Sequence, residues 1–265
     1  MSPELFETLR TSRKSRKYLR EQSVHDWSSL SWQGIGVSHF AEYPPANNLM
    51  NDKIHLTSSE WTSILKLNVN YANLRGVPGN CKESNGSSLC RRCTKEIETP
   101  SHVLGNCPFN SLLINQRHHN VKHSLTNYLE KIGFTCYEEV HAIDGDGRNR
   151  FIDIVAFQKN SSSAFLIDPT IRFETNDHNQ AQKVDIEKRT IYESCIPFLK
   201  EKYCQSFGDR NFYVKGLLFG SRGTIYKEVK QFFQEFGIEL KHLTSIIENI
   251  IHNSVAIINH HIYKI

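Results

Sequence analysis

Apolar residues follow two different periods along this chain. Trp61, Ile64, Leu65 and Leu67 come after Thr57-Ser58-Ser59-Glu60, and a Thr or Ser answered by a Glu at the fourth helix-opening position marks a helix start. Val121, Leu125, Leu129 and Ile132 step by four, four and three, which predicts a second helix, closed by Gly133. Denser runs follow at 137–143, 151–157 (FIDIVAF) and 163–168 (SAFLID), each read as a strand. Helical spacing returns over about 179–205, a strand is predicted at 212–219, and helices at about 223–236 and 240–258. Leu243, Ile246, Ile247, Ile250 and Ile251 give the last helix a single core-facing stripe. Three strands, a helix, a strand and further helices make an α/β unit.

That unit fills 111–265. Residues 80–110 differ: Gly and Ser lead into them, large apolar residues are few, and Cys and His are concentrated there. Residues 1–79 form a basic N-terminal and helical linker region, turn-rich over 27–45. Arg10, Arg13, Lys14, Arg16, Lys17 and Arg20 stand there without an intervening acid. Such a block suits phosphate contact or nuclear import, and equally a solvated tail. With Lys+Arg 32 against Asp+Glu 28, the whole chain is only mildly basic, and 38% hydrophobic content excludes a mostly disordered chain. No apolar run approaches the ~18 residues of a membrane helix, no signal-peptide core opens the chain, and no membrane partner is expected.

Seven Cys is an odd number, and Cys90, Cys93, His102 and Cys107 have the spacing Cys-x2-Cys-x8-His-x4-Cys. A tight Cys-x2-Cys turn brings two thiolates to one ion, and the His and third Cys complete a tetrahedral Cys3His zinc site with no open position. Such a site is structural, and its metal stabilises a segment too short to gather a core. Cys81 is an alternative ligand but stands nine positions before Cys90. Arg91 and Arg92 charge this knuckle positively, as nucleic-acid contact requires.

Two carboxylates interrupt the strands. Asp153 lies inside FIDIVAF and Asp168 closes SAFLID, with a hairpin turn predicted about Asn160-Ser161. In that register the paired positions sum to 321, so Asp153 faces Asp168; a slip of one residue would put them on opposite faces. Facing carboxylates suit Mg2+ or Mn2+. Ala181, Val184, Lys188, Ile191 and Cys195 share a helix face, which turns Lys188 inward with Tyr192 four positions on. Two acids and an inward Lys make either a buried salt bridge or, with a metal, a phosphodiesterase site. Glu138 or Glu139 offers a further carboxylate, and Arg150 a phosphate contact.

The order of LKLNVN (65–70), the knuckle, Asp-x14-Asp and Lys-x3-Tyr resembles the C-terminal part of a site-specific non-LTR retrotransposon polyprotein, with a zinc knuckle and a restriction-like endonuclease. SRGTIYKEVKQFFQEFGI (221–238) resembles a late segment of that nuclease, and Arg117-His118-His119 an Arg-His segment after its knuckle. The resemblance implies a PD-(D/E)xK fold, a mixed sheet flanked by helices, with Asp153 and Asp168 as acids and Lys188 and Tyr192 as relocated lysine and companion. Ile152 stands where the motif has Pro, and Thr170 where its usual Lys would be. It further implies metal-dependent nicking of target DNA to prime reverse transcription, element RNA as a partner, nuclear location, and an upstream reverse transcriptase, since no YxDD-like motif occurs here. A nucleic-acid-binding remnant with a dead site is the alternative.

Overall fold

The computed structural model describes residues 13–47, 56–80, 86–159 and 161–264; for 13–16 it describes backbone only. Arg10, Cys81 and Asn160 lie outside the described residues, as do the side chains of Arg13, Lys14 and Arg16.

Helix α1 (Arg13–Ser28) carries the described part of the basic block. The predicted cap opens α2 (Ser58–Asn68): Thr57 Oγ1 accepts from Glu60 N–H and Glu60 answers from its carboxylate. The knuckle segment contributes α3 (Pro100–Gly105), followed by α4 (Ser111–Lys131). Strands β1 (Phe134–Ile143), β2 (Asn149–Gln158) and β3 (Ser163–Arg172) make an antiparallel meander. Helices α5 (Gln180–Tyr192) and α6 (Ile196–Phe207) then cross over to β4 (Asn211–Gly220), which pairs parallel with β3. Helices α7 (Lys227–Glu235) and α8 (His242–Tyr263) finish the chain.

The sheet, ordered β1-β2-β3-β4, is sandwiched. On one face Val121, Leu125 and Leu129 of α4 meet Ile154, Ile167 and the apolar stripe of α8. On the other, Tyr192, Cys195 and Leu199 cover Val155, Phe157 and Leu166. One helix predicted over 179–205 is two. The chain tightens at Glu193–Cys195, and Pro197 sits in the first turn of α6, having no N–H to continue the ladder.

The linker region is fastened to the sheet by a buried ion pair. Arg222, after β4, holds Glu174 at 3.0 Å, donates to the carbonyls of Ile35 and Asn68, and lies between the rings of Phe40 and Phe173. Gly36 has φ +70°, and a Cβ there would stand 2.6 Å from Nη2 of Arg222, so the close approach requires glycine.

Candidate functional site

The β2–β3 ladder runs from Ile154↔Ile167 to Phe157↔Ala164, the register in which Asp153 and Asp168 are the next pair out. Across β1–β2, pairing runs through Glu138↔Ile154 and resumes at Val140↔Ile152, so Glu139 stands opposite Asp153. There the strands exchange faces. Cys136 and Ile154 pack on the α4 side, whereas Val140 and Ile152, at the same parity, pack on the α5–α6 side. Glu139 has φ +51°, a left-handed conformation that non-glycine residues rarely adopt. The sheet is thus wrung where its three acids line up.

Helices on both faces reach this row. From α5, Lys188 Nζ lies 3.1 Å from Asp168 Oδ2 and Tyr192 OH donates to the same oxygen at 2.9 Å. Thr170, where a lysine would be expected, donates to Asp168 Oδ1 at 2.8 Å. From α4, His118 Nε2 meets Asp153 Oδ2 at 3.1 Å. Burial raises the Asp153 carboxyl above its ordinary pKa, the His118 contact opposes this, and the charge of Asp168 adds to the rise. Burial and the Asp168 charge likewise push the Tyr192 hydroxyl up, so it stays a neutral donor. Asp153, Asp168, Lys188, His118 and Arg117 line one open cavity of about 340 Å³.

A buried and a half-buried carboxylate that repel each other in an open cavity, both hard oxygen donors, fit a divalent ion such as Mg2+ or Mn2+. Glu139 turns instead to Lys122, with which it forms a short ion pair, and Lys122 also faces Glu138 at 3.7 Å. His118 is the residue the sequence undervalued. Its one signal was its place beside Arg117 on a helix preceding the acidic strands.

The second cluster is the knuckle. The ligand atoms of Cys90, Cys93, His102 and Cys107 all lie within 4.8 Å of one another, with Cys90 and Cys107 sulfurs 3.8 Å apart. A tetrahedral zinc with bonds near 2.3 Å sets its sulfurs about 3.8 Å apart, so the donor set fits. Local structure explains the convergence. Cys93 N–H points to Cys90 Sγ within the turn, Thr99 caps α3 to present His102, and Cys107 follows directly after the helix. Glu96 accepts from His102 Nδ1 at 3.0 Å, fixing the ring so that Nε2 faces the sulfurs. Burial opposes ionisation of Cys93, but backbone donors of Lys95 and Glu96 and its sulfur and imidazole neighbours hold the thiol down at about 7.

The knuckle arginines have internal partners. Arg91 grips buried Glu98 through Nε and Nη2 and donates to Asn73 O. Arg92 donates to the carbonyls of His261 and Ile262 at the end of α8 and lies over the Phe109 ring. His261, buried, joins Glu98 at 3.0 Å and Asn110 at 3.0 Å. Arg150 holds Asp144 at 2.9 Å, and Lys17 is an exposed partner of Glu21. So the structure gives Arg91 and Arg92 a bracing position instead of the free surface expected of nucleic-acid contacts.

No family model matches the chain. Among curated proteins it is similar to two from Popillia japonica, each described as a Retrovirus-related Pol polyprotein from type-1 retrotransposable element R2. One is 26% identical over 210 residues, which is 79% of this chain and 41% of that protein. The other is 25% identical over 167 residues, 63% of this chain and 26% of that protein. The chain therefore spans less than half the length of these relatives, and the likeness agrees with the retrotransposon polyprotein resemblance of its motifs.

Proposed function

We propose that this chain is a metal-dependent DNA endonuclease module of a non-LTR retrotransposon polyprotein, built on a PD-(D/E)xK-type core and nicking target DNA for target-primed reverse transcription. The observation that carries the reading is the convergence of Asp153, Asp168 and Lys188, from two strands and a helix, in one open cavity, with Tyr192 bonded to Asp168 from the same helix as Lys188. Similarity to R2 polyproteins supports the retrotransposon setting.

Asp153 and Asp168 would hold Mg2+ or Mn2+, which when bound polarises a phosphate and activates water. Lys188 places a positive charge at the same oxygen as Tyr192 and offsets charge developing on the scissile phosphate. Tyr192, kept neutral, locks the Asp168 carboxylate in one orientation. Cys90, Cys93, His102 and Cys107 would hold Zn2+ as a closed structural site. A DNA target, element RNA, an upstream reverse transcriptase and nuclear location belong to the same proposal.

A second reading, nucleic-acid binding by an inert site, is favoured by one observation. Asp168 already accepts from Lys188, Tyr192 and Thr170. Plasmid nicking by purified protein with Mg2+ separates the two. Asp153→Ala or Asp168→Ala should abolish nicking while DNA binding stays near normal. Wild-type protein that binds DNA without nicking it supports the second reading, and nicking that survives both changes removes the site.

A further inference from the structure

His261 lies in the last turn of α8, far along the chain from the knuckle and fully buried, yet its ring stands against two knuckle sulfurs. Nε2 is 3.6 Å from Cys90 Sγ and Nδ1 is 3.9 Å from Cys107 Sγ. The backbone fixes it there. Carbonyls in a final helical turn have no intrahelical partner, and Arg92 of the knuckle donates to those of His261 at 2.7 Å and Ile262 at 3.1 Å.

The neighbours decide which ring nitrogen carries the proton. Asn110 Nδ2 faces both Val103 O, at 3.1 Å, and His261 Nδ1, at 3.0 Å. A carbonyl only accepts, so the Asn110 group between them is its NH2, and Nδ1 accepts from it. The proton therefore sits on Nε2, which points at Glu98 Oε1, 3.0 Å away, and at Cys90 Sγ. Glu98 is already well supplied. Arg91 meets it with Nε at 2.8 Å from Oε1 and Nη2 at 2.9 Å from Oε2, and the backbone N–H groups of Arg75 and Arg91 donate to it as well. The same guanidinium repels a cation, so Cys90, Glu98 and His261 do not make a second metal site, although their ligand atoms lie within 4.8 Å of one another.

The sulfur is the acceptor in need. Zinc with three thiolates and a neutral imidazole carries a net negative charge, and Cys90 and Cys107 are fully buried. Cys93 draws on the backbone N–H groups of Lys95 and Glu96, and Cys107 on that of Phe109. Cys90 has a long 3.4 Å contact from Cys93 N–H and, from outside the knuckle, His261.

We infer that His261 donates its Nε2–H to the Cys90 thiolate of the zinc site, so that the last helix of the chain sets how tightly the knuckle holds its metal. The inference rests on the zinc reading of the knuckle, and it makes His261 a positioning residue that acts through Cys90.

The test uses the whole chain and compares His261→Phe, which keeps a ring without a donor, with His261→Gln, which keeps an N–H. Metal content of the wild type is read first, and a chain that takes up no zinc removes the zinc reading and the inference together. With metal held, the remaining measurements test His261 alone. In wild type loaded with spin-active cadmium, a scalar coupling through the hydrogen bond should link the Nε2–H proton to the metal; its absence overturns the inference. In cobalt-loaded protein, the sulfur-to-cobalt charge-transfer band should move to lower energy in His261→Phe, because an N–H bond stabilises the sulfur lone pair. His261→Gln should stay near wild type. Zinc affinity, by competition with a chelator at fixed pH, should fall about 10-fold or more in His261→Phe and recover most of that in His261→Gln. An unshifted band, or equal loss of affinity in both variants, marks a packing role and overturns the inference. Should His261→Phe fail to fold, the cadmium coupling of the wild type decides.

Discussion

His118 Nε2 stands 3.1 Å from Asp153 Oδ2, and through this contact α4 orients an acid carried by a strand of the sheet. Partners that orient a metal-holding group typically change metal affinity or activity by about 10- to 100-fold when removed. His118→Ala should therefore lower Mg2+-dependent nicking and Mn2+ affinity by that order, with His118→Gln closer to wild type. Equal nicking and equal Mn2+ affinity in His118→Ala would show that Asp153 is held without it.

The knuckle should bind one zinc per chain. Cys107→Ser should abolish it, and Glu96→Ala should weaken it by about 10- to 100-fold through loss of the His102 orientation. Because Arg92 and His261 tie the knuckle to α8, chelation should also lower the thermal midpoint of the entire chain. Zinc content by mass spectrometry and melting with and without chelator check both; an unaltered midpoint after zinc loss would refute the coupling.

The Glu174–Arg222 pair is fully buried on both sides. Removing one partner leaves the other charge unpaired, so Glu174→Gln should destabilise the fold by about 3–5 kcal/mol. Urea denaturation measures this. A loss below about 1 kcal/mol would mean that the aromatic rings about Arg222 suffice.

Asp144, in the β1–β2 turn, accepts from the Arg148 and Asp146 N–H groups and from Arg150, and its pKa is lowered. A lowered carboxyl stabilises the fold above its unfolded pKa of about 3.9, and that contribution fades as pH falls through the folded value. Asp144→Asn should therefore shrink the stability difference between neutral pH and acid, and melting over that window checks it. An unchanged acid limb would assign the loss to other carboxylates.

Much of this arrangement is legible in the chain itself. The 321 register follows from turn chemistry and the strands obey it, and inward Lys188 follows from helical spacing alone. The rest depends on partners distant in sequence. That His118, among thirteen His residues, meets Asp153 is decided by how α4 lies on the sheet, and nothing local to His118 encodes that. Arg91 and Arg92 look like surface charge because Glu98 and the α8 carbonyls that receive them are invisible to a local reading. The wringing of β1 and β2 at Glu139 is similarly hidden, since the alternation of apolar residues on either side remains intact. Pro197, by contrast, was a visible signal for breaking the predicted 179–205 helix.

Glu98 has a consequence for how the protein can be taken apart. Its carboxylate receives Arg91 from the knuckle, the Arg75 N–H from the linker and His261 from the last helix. These contacts hold it down at about 2 against the effect of burial. One side chain is thus a keystone for three stretches that the sequence divides after 79 and after 110. A fragment cut at either place would take a hydrogen-bond partner from this buried carboxylate, so the knuckle and the cleft are best regarded as two ends of one mechanical piece.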